Sequence, residues 1–451
     1  MRIFLPPDVE ALSSLIPRFL ALAGEDAWNK RWHQLKRDFE RSPAQQKIVA
    51  DYHWLELLLN DQAAALAKYG HLNPPLIVED LAVLHFIAMV VEVHARLTPS
   101  GQKVLQGRLR SALGAETGFA ALYLEMDIAR RLFDSGNEVD FPDLEGTAQY
   151  DIRFSRNGVS GEVECKSQSA DAGRKIHRKD FYRFIDKIEK ALERRAATGA
   201  KEVLLITLSE RLPSDAEKQK TLVDAVLRAV SGTDLPSIVG DFFILTREKV
   251  NSSIEIARSK GQRALYGACI RLYGERLHVA GPITDEGICI VVMRSTLEDD
   301  TSKPWLEAME KAATQFSGSR ASFIAVQFND LSPDELLSPS LRRRAEILCG
   351  ALFRRSETSH VTGIHISPYR GFIESAQGIG APAFGYFNTK SRFSSNPADY
   401  PAFHDTLSDR QFAQLIGAET YRSRFYIRFE IMISHLVVRF RKLLRKILGN
   451  W

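Results

Sequence analysis

Two acids and an amine spaced for hydrolytic chemistry stand close together in this chain: Asp151, Glu164 and Lys166, with twelve residues between the acids and one between Glu164 and Lys166. Carboxylates of this kind can hold one or two Mg²⁺ or Mn²⁺ ions, which take phosphate oxygens as further ligands. An ammonium beside them can orient a water molecule and balance the charge that builds on a phosphorus centre. The spacing therefore admits phosphodiester hydrolysis. It equally admits a same-face salt pair on an exposed strand, worth at most about 1 kcal/mol.

The surrounding pattern predicts how these side chains are positioned. In Gly161-Glu162-Val163-Glu164-Cys165-Lys166-Ser167-Gln168-Ser169, apolar Val163 and Cys165 alternate with charged neighbours, the period of a strand with one apolar face. Tyr150 to Ser155 alternates in the same way, and Asn157-Gly158 between the two runs is a hairpin turn signal. The hairpin would return Asp151 towards Glu164. Upstream, Glu138 to Phe141 reads as a first strand, preceded by a helix over Ala120–Phe133 that Ser135-Gly136-Asn137 stops. Downstream come an amphipathic helix from Lys179 to Ala197 and a buried strand, Lys201–Leu208. The predicted order is helix, three strands, helix, strand.

With that order and those residues, the stretch from Gly118 to Leu208 resembles the PD-(D/E)xK nuclease superfamily, whose motif is an acid on the second strand and (D/E)-x-K on the third. The resemblance implies an α/β fold with a restriction-endonuclease-like mixed-sheet core. It further implies Asp151 and Glu164 as metal ligands, with the main-chain carbonyl of Cys165 as a third, and Lys166 beside the attacking water. Many members carry another Glu on the preceding helix. Glu125 fits better than Glu116, because Ala129, Leu132 and Gly136 follow it at offsets the family often shows. Tyr150, not proline, precedes Asp151, and Glu162 is read as peripheral. The implied function is a Mg²⁺- or Mn²⁺-dependent nuclease acting on DNA, set by analogy in restriction or anti-phage defence. The alternative is a catalytically degenerate nuclease fold kept as a nucleic-acid-binding or assembly subunit.

A net charge of +4 over 451 residues is too slight to indicate a nucleic-acid partner, so local clusters carry that expectation. Arg174, Lys175, Arg178 and Lys179 directly follow the proposed catalytic strand, where a loop entering a helix can contact phosphates through side chains and main-chain N–H groups. Arg342-Arg343-Arg344 and Arg354-Arg355 read as surface charge. Tyr421 to Leu448 reads as a basic amphipathic helix for packing, a partner, a membrane surface or a nucleic-acid backbone.

The expected organisation is a helical region over 1–112, the nuclease-like core over 113–210, an α/β region over 211–400 that extends the core or forms a second domain, and the basic helical segment 401–451. Four scattered cysteines without a C-x-x-C pair fit a reducing compartment. No apolar run reaches the length of a membrane span. A cytoplasmic protein, homo-oligomeric and working with an activator or partner protein, is the expectation. P-loop, H-E-x-x-H and G-x-S-x-G patterns are absent, and Gln377-Gly378-Ile379-Gly380-Ala381 reads as a turn rather than a dinucleotide site.

Overall fold

The computed structural model describes residues 9–404, apart from 74–77, 233–236, 260–261, 275–276, 332–335, 337, 371–372, 376–377, 381–382 and 394–395. The basic segment expected over 421–448 lies outside the described residues. Helices α1 (Val9–Ala23), α2 (Glu25–Arg41), α3 (Pro43–Tyr52), α4 (Trp54–Tyr69), α5 (Val78–Arg96), α6 (Pro99–Gly114) and α7 (Ala120–Asp134) come first. Then follow β1 (Glu138–Asp140), β2 (Ile152–Arg156), β3 (Val159–Gln168), α8 (Arg178–Ala197), β4 (Lys201–Leu208), α9 (Ala216–Ser231), β5 (Ser237–Val239) and β6 (Phe243–Lys249). Next are α10 (Ser252–Arg258), α11 (Gln262–Tyr273), β7 (Leu277–Ala280), β8 (Ile288–Ser295), α12 (Ser302–Ala313) and β9 (Ala321–Phe328). The described chain closes with α13 (Pro339–Phe353), β10 (Val361–Pro368), β11 (Ile373–Ser375), β12 (Gly378–Gly380) and β13 (Phe384–Phe387).

These elements form an α/β protein with two large mixed sheets, of strand order β1-β2-β3-β9-β10-β13 and β5-β6-β4-β8-β7, and a small β11-β12 hairpin. In the first sheet β1, β2 and β3 run antiparallel in succession, β9 is parallel to β3, β10 is parallel to β9, and β13 closes antiparallel. The β2–β3 turn is built by Asn157 at φ 51° and Gly158 at φ 81°, the two left-handed residues that such a tight hairpin needs. Gly161 stands opposite Phe154, and a Cβ there would meet the Phe154 ring at 2.3 Å.

One face of the first sheet shares a single apolar core with the N-terminal helices. Ile152, Phe154, Val163, Phe323 and Ala325 pack with α5 (Val83, Leu84, Ile87, Val90) and α7 (Leu124, Ile128, Leu132). The helical region is thus one wall of the sheet domain rather than a domain with its own core. On the other face Ile324, Val326, Ile364 and Ile366 pack with Trp305 and Met309 of α12 and Leu348 and Leu352 of α13.

The second sheet corrects the expected chain order. Lys201–Leu208 does not join β3; it lies in the second sheet, antiparallel to β6 and parallel to β8. Its residues are apolar towards both sides, with Leu204, Ile206 and Leu208 facing the α8–α9 core and Val203 and Leu205 facing α10 and α11. Such a strand needs helices on both faces but carries nothing that names its neighbour. The strand beside β3 is β9, equally apolar, delivered by α12 after the second sheet is complete. The ranges 113–210 and 211–400 are therefore each divided between the two sheets.

Candidate functional site

The site lies where β2 leaves β3. Their last register pair is Ile152 with Val163, so from Glu164 to Gln168 the only strand beside β3 among the described residues is β9. Asp151 stands at this fork, and its Oδ2 accepts the Cys165 N–H at 2.7 Å in place of a ladder bond. A carboxylate is thereby held beside Glu164 by the main chain itself.

Glu164 and Lys166 share the face of β3 that looks towards α12, as alternation requires. The Lys166 ammonium donates to Glu164 Oε1 at 2.5 Å and to Gln315 Oε1 at 2.7 Å. Gln315, just past α12, in turn donates from Nε2 to the Gln149 carbonyl at 3.3 Å, tying Lys166 to the segment that enters Asp151. Glu164 Oε2 is buried with no hydrogen-bond partner.

Glu125 reaches the same group from α7. Its Oε2 accepts Arg108 Nη1 at 3.3 Å, and Arg108, on α6, also donates to Asp143 in the turn after β1. Glu116 instead is exposed and ion-paired with Lys179, so of the two acids weighed from sequence it is Glu125 that stands with Asp151. Glu162 is fully buried, accepting from Ser317 N–H at 2.9 Å, from the Ser317 hydroxyl and from Arg320 at 3.1 Å. It pins the 317–320 turn to β3 and stands apart from the acid group.

Burial and mutual repulsion govern the protonation of these acids. Desolvation pushes the Asp151 carboxyl up to about 6, against the lowering effect of the Cys165 N–H and Arg108. Desolvation and the Asp151 charge push Glu164 up to about 7, against Lys166. Glu125 is raised well above the usual carboxylate range by burial and then by Asp151. Burial and the same acids raise the Cys165 thiol well above its ordinary value.

Four carboxylates, Glu125, Asp143, Asp151 and Glu164, therefore act on one another, and the Arg108 and Lys166 cations oppose their repulsion. Fully ionised, four acids against two cations leave two negative charges. Among the described residues, no three His, Cys, Asp or Glu side chains are arranged as a metal site. Arg108 and Lys166 already engage oxygens of Glu125, Asp143 and Glu164, and the set implied by the resemblance contains two side chains and a carbonyl. The unpaired Glu164 Oε2 beside Asp151 fits a divalent cation.

The basic loop departs from expectation. Arg174 pairs with Asp171 at 3.2 Å, Arg178 Nη1 donates to the Asp330 carbonyl at 2.6 Å, and Lys179 pairs with Glu116. The Arg178 N–H, expected to face phosphate at the start of α8, is taken by Asp171 Oδ2, and the Lys175 N–H donates to Asp299 Oδ1 at 2.8 Å. Asp171, three residues before Arg174, and Asp330, far along the chain from Arg178, hold these two arginines.

Arg108, Asp143 and Gln315 escaped the sequence reading. Arg108 and Gln315 come from other segments and carry no local signal, whereas the Pro142-Asp143 pair announces a turn acid upstream of Glu164. All four cysteines are free, and among the described residues no helix is long and apolar enough to cross a membrane. No family model, curated protein or solved structure matches the chain.

Proposed function

We propose that this chain is a divalent-metal-dependent nuclease of the PD-(D/E)xK type, hydrolysing phosphodiester bonds of DNA. The observation that carries the reading is the meeting of Asp151, Glu164, Lys166 and Glu125 at the β2–β3 fork. The chain order α7, β1, β2, β3, α12, β9 supports a restriction-endonuclease-like core, with the second sheet inserted between β3 and α12.

Asp151, Glu164 and the Cys165 carbonyl would hold Mg²⁺ or Mn²⁺, which when bound supplies charge neutralisation at phosphate and a more acidic water. Lys166, oriented by Gln315, holds the attacking water and faces the charge that develops on the phosphoryl oxygens. Glu125 orders the site from the helix side. Glu164 would hold the ion through its free Oε2 while Oε1 keeps Lys166 beside the site.

The closed pair favours a second reading, a nuclease fold kept for nucleic-acid binding or assembly. One experiment separates the two: purified protein is incubated with plasmid, linear duplex, single-stranded DNA and RNA in Mg²⁺, Mn²⁺ or EDTA. Metal-dependent cleavage that Asp151→Asn abolishes supports the enzyme. No cleavage, together with no Mn²⁺ binding that depends on Asp151 and Glu164, overturns it.

A further inference from the structure

We propose that Arg108 is the resident counter-cation of the acid group and the positioning residue for Glu125, which makes α6 part of the site. The inference rests on the nuclease reading above. Arg108 lies in the helical region that sequence alone sets apart from the catalytic core, yet its guanidinium spans Glu125 on α7 and Asp143 in the β1–β2 connection. Its positive charge also favours the ionised form of Asp151, alongside the Cys165 N–H. A planar guanidinium can serve two carboxylates at once, where an ammonium presents a single point charge.

A second contact shows that α6 grips the same connection. Glu145 accepts the Thr98 N–H at 2.8 Å and the Thr98 hydroxyl at the start of α6. A Cβ on Gly101, one turn along, would stand 3.0 Å from the Glu145 carboxyl carbon, so helix and connection are in close approach. The segment that carries Asp143 and Glu145, and that leads to Asp151, is therefore fastened to α6 at two points. Arg108 balances the group in the absence of a divalent ion and opposes that ion's entry electrostatically, while holding Glu125 in the orientation the reaction uses.

The test is calorimetric titration of Mn²⁺ into metal-free protein at pH 8, for the wild type and for Arg108→Ala, Arg108→Gln, Arg108→Lys and Asp151→Asn, with cleavage kinetics alongside. Removing the guanidinium charge should tighten Mn²⁺ binding about tenfold in the Ala and Gln variants, since a nearby positive charge is lost in a poorly solvated site. Arg108→Lys should bind Mn²⁺ with near wild-type affinity because the charge is kept. All three should cleave slowly through a fall in kcat with little change in KM, because Glu125 loses its two-point support. A purely structural arginine would lower thermal stability and leave Mn²⁺ affinity alike in Gln and Lys variants. Unchanged or weaker binding in Arg108→Gln overturns this proposal while leaving the nuclease reading intact. Absence of Asp151-dependent Mn²⁺ binding in the wild type overturns this proposal, and together with absence of cleavage it overturns the nuclease reading as well. If Arg108→Ala does not fold, the contrast between Gln and Lys decides.

Discussion

The two sheets solve the same packing problem with different chemistry. Both are mixed and carry helices on each face, and both contain a parallel pair of strands buried along most of their length, β4 with β8 and β9 with β10. In the second sheet Val203 to Ile206 and Ile288 to Met293 bury aliphatic or sulfur-containing side chains towards both faces. In the first, β3 buries Glu162 and Glu164 in comparable positions. Glu162 is fully hydrogen-bonded, but Glu164 keeps a bare oxygen beside other acids. Burying such a group opposes folding unless another charge meets it. The second sheet is the pattern of a scaffold, and the fork of the first carries buried acids that a scaffold does not need.

The largest expected difference between the sheets is catalytic. Lys166→Ala should lower the cleavage rate by roughly a thousandfold, measured on plasmid with Mn²⁺, while the melting temperature stays near wild type. Wild-type rates in this variant would mean that Lys166 is only the partner of Glu164. Ile290→Ala in β8 should do the reverse. It removes a fully buried side chain and should cost about 2–5 kcal/mol in denaturant unfolding, with the rate per folded molecule unchanged.

A smaller effect sharpens the comparison through pH. Asp151 and Glu164 titrate near 6 and 7 in the folded chain, above the roughly 4 of an unfolded carboxylate. Between those values the native state binds more protons than the unfolded state, so metal-free stability should fall as pH rises from about 4 to about 7. Glu164→Gln removes part of that loss. At pH 8 without metal it should be more stable than wild type by on the order of 2 kcal/mol, with the advantage gone near pH 4. A Glu164→Gln protein that is less stable at pH 8 would show that the Lys166 ion pair outweighs burial. For the same reason Mn²⁺ binding should release protons and strengthen as pH rises through about 6 to 7.

The smallest effects belong to the basic loop. Because Lys179 is committed to the exposed Glu116, Lys179→Ala should change stability by less than about 1 kcal/mol. Neutralising Lys179 together with Arg174 should leave the salt dependence of DNA binding nearly unchanged, read as the slope of log affinity against log salt. A slope reduced by about two charges would show that the loop gives up its acidic partners to phosphate.

What could be read from the chain alone was local in origin. Alternation put Glu164 and Lys166 on one face of β3, Asn157-Gly158 dictated the tight turn, and that turn set a register in which Asp151 comes level with Glu164. Helical periodicity likewise drew α7 and α8 close to their observed bounds. Each follows from interactions among residues a few positions apart, and so is written in spacing. The neighbour of β3 was not written there, because β4 and β9 are both apolar towards two faces and nothing in either strand distinguishes one burial from the other. Nor was the inward turning of Arg178 towards Asp330, or the arrival of Arg108 and Gln315 beside Glu125 and Lys166. Those contacts join side chains from separate segments, and charge carries no address: only the packing of α6, α12 and β9 around β3 determines which acid meets which cation.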